Sequence, residues 1–106
     1  MAFVRTTAAG STRPGQGWAL NSAGDGIYLD VDTTDRGAPV FTKTPVYITS
    51  VDGIAAHFGL TGTSAIYEAS NKGFQINVTF HGDGPRTLSE AQKQQWRVNW
   101  AGFETI

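Results

Sequence analysis

Five consecutive residues, Phe80-His81-Gly82-Asp83-Gly84, place an aromatic ring, an imidazole and a carboxylate beside two glycines. A saccharide is recognised by that mixture: a ring face lies against its C–H patch while fixed polar groups meet its hydroxyls. On this reading Phe80 stacks, and His81 and Asp83 hydrogen-bond. The competing structural reading makes Phe80 a core residue, His81 the end of a strand and Asp83-Gly84 a turn. His57-Phe58 is a second ring-and-imidazole pair, and it reads more simply as loop.

Other chemistries fare worse. Asp25, Asp30, Asp32 and Asp35 invite a calcium loop, but counting from Asp30 the fifth and sixth positions hold Thr34 and Asp35, not the residues an EF-hand needs there. A solvated strand face followed by a turn accounts for the cluster. His57 and His81 are the only histidines, and no Gly-x-Ser-x-Gly elbow is present. Asp30, Asp32, Glu68 and Asp83 could supply paired carboxylates, yet nothing around them argues for a raised pKa. No enzyme, cofactor or metal is expected. Asn77-Val78-Thr79 matches a glycosylation acceptor but falls inside an expected strand.

Composition narrows the classes further. The chain has no cysteine, which excludes disulfides and zinc thiolates. A net charge of −1 leaves no electrostatic footprint for nucleic acid. No apolar run approaches the roughly 20 residues that span a bilayer, so no membrane insertion is expected. Met1 to Thr7 lacks the charged and apolar regions of a signal peptide, and a soluble protein of open compartment is expected.

The elements that position these residues are read from alternation. Phe74, Ile76, Val78 and Phe80 alternate with Gln75, Asn77, Thr79 and His81, which sorts apolar from polar on the two faces of a strand. Asn71-Lys72-Gly73 turns into it from an expected strand over 64–70, predicting a hairpin. Ile27, Leu29 and Val31 alternate with Tyr28, Asp30 and Asp32 in a second strand with an acidic outer face. Further strands are expected over 45–51, led by Pro45, and over 96–100, where Trp96, Val98 and Trp100 share a face. An edge strand or arm is expected within 2–14. Thr87-Leu88-Ser89-Glu90 fits a capping box and predicts one helical turn across 88–93. The expectation is one all-β domain over 1–106, an antiparallel β-sandwich of about six strands.

Over residues 45–103 the chain resembles the H-type lectins, the family of the snail agglutinin. The resemblance is carried by Thr44-Pro45-Val46-Tyr47-Ile48-Thr49-Ser50-Val51-Asp52, by Tyr67 separated by five residues from Gly73-Phe74, by Thr79-Phe80-His81 and by Trp96-Arg97-Val98-Asn99-Trp100. Phe80 stands where the family has Trp, and the family's disulfide is missing. The resemblance implies a six-stranded sandwich that forms trimers and binds galactose or N-acetylgalactosamine. It places the sugar-contacting aromatic and His on Phe80 and His81, with an acidic residue near Asp35. The expected function is therefore a carbohydrate-binding lectin, multivalent as a homo-oligomer, with glycans as partners through Phe80, His81, Asp83 and Asp35. The alternative is a structural or receptor-binding assembly module, like a fibre tip. In that case Gln75, Asn77 and Thr79 serve as a subunit interface.

Overall fold

Alternation decides the centre of the molecule. From Gly73 to Phe80, Phe74, Ile76, Val78 and Phe80 are buried and the intervening residues are half-exposed. The computed structural model describes residues 4–105. In chain order it has strands β1 (Val4–Ser11), β2 (Ala19–Leu20), β3 (Ile27–Asp32), β4 (Val46–Asp52), β5 (Leu60–Thr61), β6 (Ile66–Ser70), β7 (Gly73–Phe80) and β8 (Arg97–Thr105), with helix α1 (Gly84–Lys93) before the last. The protein is mostly β, with antiparallel sheets. Eight strands stand among the described residues where about six are expected, and β5 is a two-residue pairing too short for periodicity to register.

Two sheets share the strands. In the larger, β3 pairs with β7 along its length, from Ile27 opposite Val78 to Asp32 opposite Gly73. The far side of β7 is divided between β6, with Tyr67 opposite Gln75, and β5, with Thr61 opposite Thr79. The hairpin at Asn71-Lys72 is present, and β2 extends the sheet beyond β3. In the smaller sheet β8 lies between β1 and β4. It runs past Trp100 to Thr105, and at Gly102 it passes close to Phe41: a Cβ there would sit 2.6 Å from that ring.

The inner faces of both sheets feed one apolar cluster that includes Ile27, Leu29, Ile76, Val78, Trp96 and Val98. Tyr47 of the smaller sheet meets Phe74 of the larger at 4.6 Å between ring centroids. Its hydroxyl lies 2.8 Å from Thr33 Oγ1 and donates to the Ser70 carbonyl at 2.8 Å, so burial leaves no polar atom of this group unpaired. Trp96 is fully buried, and its indole N–H donates to the Ala55 carbonyl at 2.7 Å.

The helix differs from its expected form. It starts at Gly84, capped by the Asp83 carboxylate, which accepts from Arg86 N at 3.0 Å. Thr87 does not cap. Its hydroxyl is buried, donates to the Asp83 carbonyl at 2.6 Å and accepts from Phe80 N at 3.0 Å, which fastens the end of β7 to the helix. The pattern Asp83-Gly84-Pro85 carries the start signal, since proline is well tolerated in a first turn whose N–H groups have no helical partner.

The chain between β3 and β4 is latched by Glu104. Its buried carboxylate accepts from the Thr42 hydroxyl at 2.5 Å, from Thr42 N at 2.7 Å and from Lys43 N at 3.0 Å. These donors, with the Thr42 hydroxyl foremost and the Thr6 hydroxyl adding to them, hold its pKa below the ordinary 4.5 although burial acts the other way. A carboxyl with a lower pKa folded than unfolded adds stability above 4.5 that disappears as pH falls through the folded value. In urea titrations, the parent should therefore lose stability more steeply than Glu104→Gln as the pH drops below 4.5. Parallel slopes for the two proteins would refute the latch.

Candidate functional site

The residues expected to bind from Phe80 onward lie together, but they are engaged with one another. Phe80 is 8% exposed, its ring 4.5 Å from the His81 ring, with the Arg86 guanidinium 4.6 Å above it. A Cβ on Gly59 would press within 2.4 Å of the same ring, so that side is closed too. A ring covered in this way has no free face for a ligand. His81 is exposed, at a left-handed φ of 54°, and Asp83 is committed to the helix cap. Asp35 lies elsewhere, in a turn bridged to Ala38. Asp32 pairs with Gly73, so Asp35 follows the end of the sheet opposite Phe80, roughly 20 Å away by strand rise.

A different set converges on the outer face of the larger sheet. The register puts Tyr28 beside Asn77, Asp30 beside Gln75 and Tyr67 on the other flank of Gln75. Residues paired across an antiparallel ladder share a face, so two tyrosines bracket a polar row. Gln75 Nε2 donates to Asp30 Oδ1 at 3.0 Å, and Asn77 Nδ2 donates to Gln75 Oε1 at 3.0 Å. The row has a fixed direction. Asp30 can only accept, so Gln75 must turn its NH₂ toward it and its oxygen toward Asn77. Asn77 in turn presents its NH₂, and among the described residues no donor meets its own carbonyl oxygen. Polarisation along the row, away from the anion, makes that oxygen a stronger acceptor than an isolated amide.

Two clefts open at Asn77. One, of about 300 Å³, is lined by Asn21, Asp25, Thr61, Tyr67, Asn77 and Thr79 among others. Gly62 forms part of its wall at φ 90°, and a Cβ there would come within 2.3 Å of the Asn77 backbone oxygen, so glycine is required. The second, of about 440 Å³, is lined by Leu20, Asn21, Ser22, Tyr28, Gln75 and Asn77. Tyr67 is 49% exposed and offers a ring face. The turn that carries Asn21 is braced: its Nδ2 donates to Asp25 Oδ1 at 3.0 Å and its Oδ1 accepts from Gly24 N at 2.8 Å. Thr79 fixes the same turn by donating to the Asp25 carbonyl at 2.7 Å.

The arrangement suits neutral polyhydroxyl ligands better than ions. Among the described residues no three His, Cys, Asp or Glu side chains are grouped so as to hold a metal. The four early aspartates are spread over the turn after β2, the outer face of β3 and the loop beyond it. Among the described residues no helix is long and apolar enough to cross a membrane. Sequence reasoning places Tyr28, Asp30, Gln75, Asn77 and Tyr67 on strands without joining them. The available signal is a tyrosine on an otherwise acidic strand face, since an apolar ring there has no core to serve. Comparison with protein families, with curated proteins and with solved structures gives no match in any of the three.

The helix-capping role of Asp83 is directly measurable. Asp83→Ala should lower stability by about 1 kcal/mol in urea denaturation, the usual cost of losing such a cap. An unchanged midpoint would return Asp83 to the pool of free ligand-binding groups.

Proposed function

We propose that this protein is a carbohydrate-binding lectin with no enzymatic activity, and that its site is the Asp30–Gln75–Asn77 row between Tyr28 and Tyr67. One observation carries the reading: a directed amide row ends in a free acceptor beside a half-exposed tyrosine ring, inside a cleft of about 300 Å³. Tyr67 supplies the stacking face, Asn77 Oδ1 accepts from a sugar hydroxyl, and Asp25 and Thr61 bound the remaining edge of the ring. Galactose and N-acetylgalactosamine are the first sugars to test. The two sheets are read as a β-sandwich of H-type-lectin character, and Gly82 rather than His81 lines the cleft.

A single shallow sugar site is weak, and linking copies raises avidity by about 10²–10⁴ without new contacts. We assign the association of copies, with a trimer favoured, to the outer face of the smaller sheet. Val46 is 56% and Ile48 58% exposed there, and the register sets them beside Phe103 and Ala101. The same strip favours the second reading, an assembly or receptor-binding module of fibre-tip type, in which association is the whole function. Ile54 at 72% and Phe58 at 94% exposure add to the apolar surface available to such a module.

One paired experiment separates them: a glycan array and a solution mass on the parent, on Tyr67→Ala and on Ile48→Asp. The lectin reading expects Tyr67→Ala to lose at least about tenfold in affinity, or 1.4 kcal/mol, while keeping the parent's mass and melting behaviour. It expects Ile48→Asp to give a smaller species with weaker array signal. A folded, associated parent that binds no glycan would leave the assembly reading standing.

A further inference from the structure

The two clefts on the outer face are not independent. Both are lined by Asn21 and Asn77, and each has its own tyrosine, Tyr67 in one and Tyr28 in the other. Tyr28 pairs with Asn77 across one strand boundary, and Tyr67 pairs with Gln75 across the next. Two strand spacings and a two-residue offset along β7 separate the tyrosine backbones by about 12 Å. That span is longer than one pyranose ring and the two tyrosines line different clefts, so a sugar seated in one cleft meets one of them.

We infer that the site takes a linear oligosaccharide of at least two residues laid across β7, with Asn77 at the junction of two subsites. This rests on the carbohydrate reading above. One unit stacks on Tyr67 in the cleft bounded by Asp25 and Thr61. The next crosses Asn77 to Tyr28, its partner on β3, with exposed Leu20 beneath its apolar edge and Gln75 along its side. The Asn77 amide sits at the partition of the clefts with its carbonyl oxygen free, so it can accept from a hydroxyl next to the glycosidic bond on either side. Because the row is anchored on Asp30, that acceptor keeps one orientation. The second subsite thus recognises the continuation of a chain rather than a second copy of a terminal sugar.

The test uses calorimetric titration of the full chain with galactose and N-acetylgalactosamine and with linear β-linked di-, tri- and tetrasaccharides of each. The affinity should rise by about tenfold or more from monosaccharide to trisaccharide, a gain of about 1.4 kcal/mol. Tyr28→Ala should bring trisaccharide and monosaccharide affinities to within about twofold of each other, whereas Tyr67→Ala should weaken both and keep part of their ratio. Tyr28→Leu keeps the bulk without the ring and should behave like Tyr28→Ala, which guards against a folding defect. Equal affinity for one unit and for three, or a Tyr28→Leu protein with the full trisaccharide gain, would overturn the second subsite and leave the first intact. If monosaccharides and oligosaccharides alike fail to bind the folded parent, the carbohydrate reading falls, and this inference with it.

Discussion

The pleat of β7 keeps two sets of interactions apart on one strand. Its inward residues, Phe74, Ile76, Val78 and Phe80, join the core, while Gln75, Asn77 and Thr79 point outward. The strand is flanked by neighbours on both sides along most of its length, so its backbone groups are spent in the ladder and its register is fixed. A one-residue slip would send the amides into the core and the apolar residues to water. The cost of that slip is what holds Asn77 and Gln75 in line with Asp30, so the core positions the site.

The end of β7 shows how packing withdraws a residue from function. Phe80 continues the inward alternation, and the helix that follows seals it: Thr87 fastens its N–H, Arg86 lies over its ring and Gly59 leaves room for it alone. Asp83 is drawn into the same junction as the cap. The residues that look most like a sugar site in one dimension are thus the ones that join strand to helix. Their chemistry is used internally, while the outer face at Asn77, three residues before Phe80, remains open.

Much of the architecture is legible because burial imposes a period of two. The strands at Ile27–Asp32, Val46–Asp52 and Gly73–Phe80, the hairpin before the last of these, and the burial of Trp96 and Val98 follow from alternation and turn residues. The helix is less legible: Thr87-Leu88-Ser89-Glu90 offers a capping pattern, but the stronger signal is Asp83 followed by Pro85, and the Thr87 hydroxyl is needed elsewhere. The site is least legible of all. Asp30 and Gln75 are 45 residues apart in the chain and meet only through the β3–β7 register, which no local pattern encodes. Resemblance points toward Phe80 and His81, whereas three-dimensional pairing assembles Tyr28, Asp30, Gln75, Asn77 and Tyr67.

A ligand on the outer face of β7 must register at the side-chain amides of that strand. Side-chain amide signals in a ¹⁵N-resolved NMR titration with N-acetylgalactosamine and its oligosaccharides test it most directly. Each Asn and Gln NH₂ group reports on its own surroundings. The Asn77 and Gln75 pairs should shift with saturation, while the backbone amides of Phe80 and Asp83 stay in place. Shifts concentrated at His81 and Asp83 with Asn77 and Gln75 unmoved, or no shift at any residue, would contradict it.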